Sequence, residues 1–232
     1  MKHLLFPAMA LAVALASCEA GSPEQAAPTS DASAAASTLS DGNYVITKVT
    51  PEVTWAAEKL TGEGHSGKLH VDAGKFKVTG GAINEGFVSF DMTQISVTDL
   101  TGESKDNLEG HLKSGDFFNV EVHPTANLKV NGVTMSDASN GTLACTLSMN
   151  GVDADYEIPV QVKESEVPGG QGVTGISIVG KFALDRTKHG IKYQSGTFFD
   201  NLDWAIKDDV MVGFRIMGTP MNTSSVQVPQ NF

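Results

Sequence analysis

The sequence predicts an all-β domain, and the clearest evidence is one long hairpin. Between residues 152 and 163 every even position is apolar and every odd position is polar or proline, which is the alternation of a half-buried antiparallel strand. Residues 142–149 alternate in the same way, and Asn150-Gly151 stands between the two runs as a strong turn signal. We therefore predict a hairpin over residues 142–163.

Weaker alternation of the same kind predicts further strands along the chain. They cover residues 44–49, 53–60, 68–72, 75–79, 85–93, 125–130, 173–184 and 208–217. We expect turns at the Gly and Asn/Asp clusters 72–74, 131–132 and 168–170. Residues 104–114 predict a short helix, because Leu108 and Leu112 lie four positions apart. Pro159 predicts an edge or a bulge in its strand.

Many short strands and few helical periods leave two architectures open, a β-sandwich and a closed β-barrel. The apolar faces of the strands would fill the core of a sandwich, whereas a barrel of about eight strands can be filled or can hold a small ligand. The residues predicted to face inward are Leu69, Val71, Val88, Phe90, Met92, Leu143, Cys145, Leu147, Met149, Val152, Tyr156, Ile158, Val160, Ile176, Ile178, Phe182 and Leu184.

The N-terminus resembles the signal of a bacterial lipoprotein. Lys2 precedes an apolar run over residues 4–16, which is too short to span a bilayer but suits a secretory signal. Leu15-Ala16-Ser17-Cys18 is similar to a lipobox. We predict a signal peptide over residues 1–17 and acyl chains, such as palmitate, on Cys18. The alternative is an ordinary signal peptide in which Cys18 is incidental.

Residues 18–41 are dominated by Ala, Ser, Pro, Thr and acidic side chains, which predicts a disordered tether. We place the folded domain at residues 42–218 and a C-terminal tail at 219–232. The formal net charge of −11 argues against nucleic acid as a partner and against electrostatic docking on anionic lipid. If Cys18 is acylated, Cys145 has no partner in the chain and the fold contains no internal disulfide.

Several strings together resemble the YceI-like family, the lipocalin-like polyisoprenoid-binding proteins of bacteria. They are GHSG at 64–67, FVSFDM at 87–92, ISVTDL at 95–100, LEGHLKSGDFF at 108–118, HPTA at 123–126, LSMNG at 147–151 and DRTKHGIKY at 185–193. Their order and spacing extend over the whole predicted domain. The helix followed by Asp-Phe-Phe and then His-Pro is the most specific part.

This resemblance implies an antiparallel lipocalin-like barrel of about eight strands, closed by a short helix. It also implies a long apolar cavity for an isoprenoid, a quinone or a fatty-chain amphiphile, in a family of binders or carriers without an established catalytic site. The chain departs from the family at His189, where many relatives carry an aromatic residue. That change predicts a more polar mouth or wall of the cavity, and it leaves open which ligand is bound.

The resemblance, combined with the alternation, gives the candidate ligand-binding residues. The cavity wall comprises Phe90, Met92, Phe117, Phe118, Leu143, Leu147, Tyr156 and Ile158, and the polar rim comprises His65, His111, Arg186 and Tyr193. Neighbours on a strand face opposite sides, so we expect only one of Phe117 and Phe118 to reach the cavity. Alternatives are plain core packing for these two phenylalanines, a surface ion pair for Arg186 and Tyr193, and a tight turn for His65.

Catalytic and metal sites are not predicted. The histidines show no metal-ligand spacing, Ser66 and His65 are strand neighbours that point apart, and no nucleophile elbow occurs. Cys145 lies on an apolar face, where a thiol behaves as a small hydrophobic group. We therefore expect no enzyme, no metal and no cofactor other than a bound amphiphile.

The predicted function is a lipid-anchored carrier that holds a hydrophobic small molecule in its barrel. We expect it at the bacterial cell envelope, on the periplasmic or outer-membrane face, attached to the membrane through its N-terminal acyl anchor. The alternative is a non-catalytic structural or protein-interaction module whose barrel is filled by its own side chains.

Overall fold

Nine strands and one α-helix make up the regular structure of a computed structural model that describes residues 39–46, 52–200 and 204–221. The strands are β1 (Gly42–Ile46), β2 (Glu52–Glu58), β3 (Gly64–Thr79), β4 (Ala82–Val97), β5 (Thr125–Met135), β6 (Asn140–Met149), β7 (Val152–Glu166), β8 (Thr174–Asp185) and β9 (Asp209–Pro220). Helix α1 is Gly102–Lys113, and a 3-10 turn covers Arg186–His189. None of these helices is long and apolar enough to cross a bilayer.

The strands close into an antiparallel barrel with eight positions. Each strand from β3 to β9 pairs with the next strand in the sequence. The remaining position, between β9 and β3, is filled by β2 and β1 together. The ladder therefore returns to its start, which confirms the lipocalin-like barrel and excludes a two-sheet sandwich.

The predicted β6–β7 hairpin is confirmed. Pairing runs from Met149↔Val152 to Asn140↔Gln161, and the two turn residues have positive φ angles, 51° at Asn150 and 75° at Gly151. These angles match a two-residue type I′ turn, which Asn-Gly favours because both residues tolerate the left-handed region.

Two of the predicted turns are wrong, because the chain forms bulges there. β3 continues through residues 72–74, where its register with β4 shifts between Val71 and Ala73. Likewise β5 continues past residues 131–132, with a shift between Val130 and Gly132. A bulge inserts one residue without ending the strand, so the same glycine-containing sequence is compatible with a turn or a bulge.

Helix α1 covers one end of the barrel, called here the helix end. Its buried residue Leu112 faces the interior, and the Glu109 carboxylate accepts a hydrogen bond from Val97 N at 2.8 Å, which ties the helix to the end of β4. The helix begins two residues before the predicted range of 104–114 and ends one residue before its end. The Asn150-Gly151 turn and the 3-10 turn lie at the same end.

The opposite end, called the far end, holds the β3–β4 turn and the start of β1. Both carboxylate oxygens of Asp41 accept hydrogen bonds there, from Gly80 N at 3.1 Å and Gly81 N at 2.9 Å, and Leu39 is buried. These contacts involve residues that the sequence analysis assigned to the tether. The signal peptide, Cys18 and the rest of the tether lie outside the described residues, as does the tail from residue 222, so those assignments stay predictions.

The inner face of the barrel agrees with the predicted alternation. Every residue expected to face inward is buried or packs against the core, except Val152 beside the Asn-Gly turn, which is 40% exposed. Two inward glycines lie under large rings from the neighbouring strand. A Cβ atom at Gly67 would overlap the Trp55 indole, and one at Gly180 would overlap the Phe214 ring. These glycines therefore let both rings lie against the wall.

Candidate functional site

Two apolar chambers occupy the interior of the barrel. The larger has a volume of about 100 Å³ and lies among strands from β1 to β9, omitting β7. It is lined by Ile46, Val53, Leu69, Lys75, Phe76, Ile83, Val88, Phe90, Met92, Ala126, Leu128, Val130, Val133, Leu143, Leu147, Met149, Ile178, Phe182, Leu184, Val212, Phe214 and Ile216. The lining is apolar except for Lys75, which is exposed on the strand that buries Phe76.

The second chamber, of about 80 Å³, lies beneath α1 at the helix end. Its lining consists of Trp55, Ala57, Leu69, Met92, Ile95, Leu112, Phe117, Phe118, Met149, Leu184, Arg186, Ile191, Ile206, Val210 and Val212. Trp55 is 7% exposed, and its Nε1 has no hydrogen-bond partner among the described residues. This indole is thus a buried donor in the chamber wall that remains unused.

Five residues line both chambers and form a neck between them: Leu69, Met92, Met149, Leu184 and Val212. Methionine is unbranched and has three rotatable bonds, so Met92 and Met149 adapt their shape more readily than branched side chains. The neck is therefore the part of the lumen that can widen at the smallest cost.

Most of the predicted wall residues line these chambers. Phe90, Met92, Leu143 and Leu147 line the larger chamber, and Met92, Phe117 and Phe118 line the helix-end chamber. Tyr156 and Ile158 line neither. Whether any of these residues binds a ligand stays a prediction.

The expectation that only one of Phe117 and Phe118 faces inward is wrong. It assumed a strand, whereas both residues lie in a turn in which Phe117 N bonds to Ser114 O and Phe118 N bonds to Leu112 O. Strand alternation does not apply to such a turn, and both rings line the helix-end chamber.

Two of the predicted rim residues form a ring cluster with Phe117. His111 on α1 contacts Phe117 and Tyr193 edge-on, with ring centroids 5.0 and 4.8 Å apart, and its Nε2 lies 3.0 Å from an Asp116 carboxylate oxygen. The Phe117 and Tyr193 centroids are 5.2 Å apart. This cluster fixes Phe117, which lines the helix-end chamber.

Arg186 is buried, and its guanidinium binds the chain that follows it. It donates to the backbone carbonyls of Lys207, Ile191, Tyr193 and Ile206 at 2.8–3.3 Å, and Nη2 lies 3.3 Å from an Asp208 carboxylate oxygen. Both predictions for Arg186 are therefore wrong: it forms no surface ion pair, and its guanidinium is not free to bind a ligand head group. The guanidinium instead clamps the segment between the 3-10 turn and β9.

His65 lines neither chamber. Its Nδ1 lies 2.8 Å from one carboxylate oxygen of Asp99, whose other oxygen accepts a hydrogen bond from Ser66 N at 2.9 Å. His65 is on β3 and is bound to a side chain, so the tight-turn alternative is wrong.

From the sequence we expected His189 to make the mouth or wall of the cavity more polar, but it lines neither chamber. This residue is fully buried, with Nε2 3.0 Å from the Tyr156 hydroxyl and Nδ1 3.0 Å from Val152 O. Burial lowers the pKa of His189, so the ring is neutral: Nδ1 donates to the carbonyl and Nε2 accepts from the tyrosine. Burial also raises the pKa of Tyr156 to about 12.

The described residues contain no group of three or more His, Cys, Asp or Glu side chains arranged to hold a metal ion. Cys145 is 1% exposed, and burial raises its pKa to about 11, so the thiol is not an activated nucleophile. The geometry of the interior is suited to binding apolar groups.

Comparisons with known proteins agree with this geometry. The YceI-like domain family matches residues 44–217, which is most of the chain. A comparison with curated proteins gave no match.

Among the solved structures that share the fold are two with TM-scores above 0.5. The crystal structure of BcnA from Burkholderia cenocepacia matches with a TM-score of 0.59 at 12% identity, over 75% of this chain and 99% of that one. A polyisoprenoid binding domain from Saccharophagus degradans, implicated in plant cell wall breakdown, matches with a TM-score of 0.55 at 14% identity, over 77% of this chain and 98% of that one. By fold and by family match, the chain belongs to the YceI-like domain family.

Proposed function

We propose that this protein binds the hydrocarbon chain of an isoprenoid, a quinone or a fatty-chain amphiphile inside its barrel, and that it acts as a carrier. The observation that carries the proposal is the pair of adjoining apolar chambers within a closed barrel. The Saccharophagus degradans domain of the same fold is described as polyisoprenoid binding, which supports the same class of ligand.

Burial of methylene groups supplies the driving force, at about 0.8 kcal/mol for each group removed from water. The chambers, of about 100 and 80 Å³, each exceed the roughly 10–15 Å³ that a cavity needs to hold one water molecule. A long chain has to occupy both chambers, so it passes between Met92 and Met149 at the neck. Rotation of these two side chains accompanies binding.

We also propose that the carrier is anchored to the cell envelope by acyl chains on Cys18. The lipobox-like sequence supports this location. In bacterial fractionation, the wild-type protein should be found with membranes and the Cys18→Ser variant in the soluble fraction. Equal membrane association of both proteins would contradict the anchor and leave the barrel proposal intact.

Binding is tested by comparing two tryptophan substitutions on β6. Leu147→Trp places a large ring in the larger chamber, whereas Thr142→Trp places the same ring on the exposed outer face of the strand. Each full-length protein is purified. One portion is extracted with organic solvent to detect bound lipid, and another portion is titrated with decylubiquinone. We expect Leu147→Trp to abolish co-purified lipid and decylubiquinone binding, and Thr142→Trp to retain both.

A protein-interaction module is the second candidate. It is favoured by exposed apolar side chains at the helix end, namely Leu60, Phe198, Phe199 and Trp204. A wild-type protein that carries no lipid and does not bind decylubiquinone would contradict the carrier and support this alternative.

A further inference from the structure

The barrel wall contains a seam where two neighbouring strands are not joined by a ladder. β7 pairs with β8 only from Val160↔Gly180 to Glu166↔Thr174. Towards the helix end, residues 152–159 of β7 and 181–185 of β8 have no mutual pairing, although both segments pair with their other neighbours. Pro159, which has no N–H to donate, directly precedes the first paired residue. The predicted edge at Pro159 is therefore confirmed.

Side chains bridge this seam. The Tyr156 hydroxyl bonds to His189 Nε2, His189 Nδ1 bonds to Val152 O, and the Asn150 side chain donates to His189 O at 3.2 Å. The 3-10 turn that carries His189 thereby attaches to the start of β7. Because this turn directly follows β8, the three hydrogen bonds link the end of β8 to β7 across the seam.

Two aromatic rings, one from each strand, are in contact across the seam. Tyr156 contacts Phe182 edge-on with centroids 5.6 Å apart, and Phe182 lines the larger chamber. The Lys188 ammonium lies 5.4 Å from the Tyr156 ring centroid. Tyr156 is therefore linked to the wall of the larger chamber through Phe182.

Another unpaired stretch lies at the far end, but it leaves no room for a ligand. β4 and β5 pair only from Gly86↔Val130 to Asp91↔Thr125. Beyond that ladder, a Cβ atom on Gly132 would lie 3.6 Å from Ile83 O, so the two backbones are in contact. Between β7 and β8, by contrast, the Tyr156 and Phe182 side chains meet. Separating the two segments there breaks no ladder hydrogen bonds, each of which contributes about 1 kcal/mol.

We propose that the seam between residues 152–159 and 181–185 is the portal through which the ligand chain enters the larger chamber, and that the hydrogen bond between Tyr156 and His189 latches it. This inference rests on the proposed function and adds a route to it. Tyr156 lines neither chamber, so the latch controls how fast a chain enters and leaves, and contributes little to how tightly it is held.

The first test removes the latch hydrogen bond. Tyr156→Phe is compared with the wild type by stopped-flow quenching of tryptophan fluorescence on mixing with decylubiquinone. We expect uptake and release both to accelerate about tenfold, the factor for about 1.4 kcal/mol, with Kd changed less than twofold. The matched control is Tyr44→Phe, which removes the hydroxyl that donates to Ser40 O at 2.8 Å near the far end and should leave both rates unchanged.

The second test closes the seam covalently. In a Cys18→Ser chain, Glu157→Cys and Ala183→Cys are joined by a bis-maleimide, which Cys145 does not intercept because it is buried and its pKa is raised to about 11. We expect uptake to slow at least tenfold. The control joins Ala183→Cys to Met211→Cys across the intact β8–β9 ladder and should have no effect on uptake.

The outcomes separate the portal from the carrier. Unchanged rates in both the latch variant and the cross-linked protein, while the wild type binds decylubiquinone, would overturn the portal and leave the proposed function standing. A wild type that does not bind decylubiquinone would overturn both. If Tyr156→Phe fails to fold, as judged by its thermal transition, the cross-linked protein alone decides.

Discussion

The two ends of the barrel are held together in different ways. At the helix end, the buried guanidinium of Arg186 binds four backbone carbonyls and Asp208, and the buried imidazole of His189 joins two segments. At the far end, an exposed carboxylate, that of Asp41, binds the amides of the Gly80-Gly81 turn. Where strands stop pairing, buried polar side chains replace the ladder, whereas a tight turn needs only exposed hydrogen bonds. Substitutions should therefore cost more at the helix end.

The largest expected effect is that of Arg186→Met. The substitution removes the partner of four carbonyls and leaves Asp208 without its cation, so we expect a loss of about 3–4 kcal/mol in the free energy of unfolding. Urea denaturation measures it. Arg215→Met, at an exposed position on β9, is the control and should change stability by less than about 0.5 kcal/mol. Equal losses in the two variants would show that the buried contacts of Arg186 stabilise the fold no more than an exposed arginine does.

Glycine substitutions give a second comparison. A Cβ atom at Gly67 would overlap both the Trp55 ring and the backbone oxygen of Ser96, so Gly67→Ala should cost about 2–3 kcal/mol by overpacking. At the far end, Gly80 has a φ of 62° and open space around a Cβ atom, so Gly80→Ala should cost about 1 kcal/mol from backbone strain alone. Thermal unfolding of the two variants measures the difference, and a larger loss for Gly80→Ala would contradict it.

Acid should weaken the helix end through His189. Because the pKa of this imidazole is lowered in the folded protein, the unfolded chain binds the proton at a higher pH. The neutral His189 ring makes its full contribution to the free energy of unfolding above a pH of about 6.5. Below that pH the contribution is lost, by at most about 1.4 kcal/mol per pH unit. Urea denaturation between pH 7.5 and 5 measures this slope. His189→Gln should flatten it, and His70→Gln, at an exposed position on β3, should not.

The smallest expected effect is that of Asp41→Asn. The amides of Gly81 and Gly80 lower the pKa of this carboxyl, so its contribution is present above the ordinary pKa of 3.8 and is lost as the pH falls through the lowered value. Since the group is exposed, we expect a fall in Tm of about 1–2 °C at neutral pH. A fall as large as that of Arg186→Met would contradict the proposed difference between the ends.

Alternation in the sequence predicted the barrel wall well, because the inward face of a strand depends only on local spacing. The β6–β7 hairpin was predictable, since Asn150 and Gly151 both tolerate the positive φ angles of its two-residue turn. The sequence did not predict that β3 continues through residues 72–74. Ala73-Gly74 permits a turn as readily as a bulge, and the choice depends on pairing with β4.

The polar residues at the helix end were less predictable. Arg186 and Tyr193 were recognised as candidates. Arg186, however, binds backbone carbonyls of a loop whose path the sequence does not reveal, and the Tyr193 ring packs on His111 and Phe117. The bond between Tyr156 and His189 joins residues 33 positions apart, across a seam that exists only because two strands diverge. Local patterns carry no information about such a divergence.

The glycines beneath Trp55 and Phe214 offer a means of redesign. Each glycine and the ring above it set the inner diameter of the barrel at that height, because the glycine determines how far the ring projects from the wall. Replacing a ring with a smaller side chain above its glycine would widen that level while the hydrogen-bonded framework stays as it is. A series of such changes could turn this barrel into a graded set of receptors for chains of different thickness.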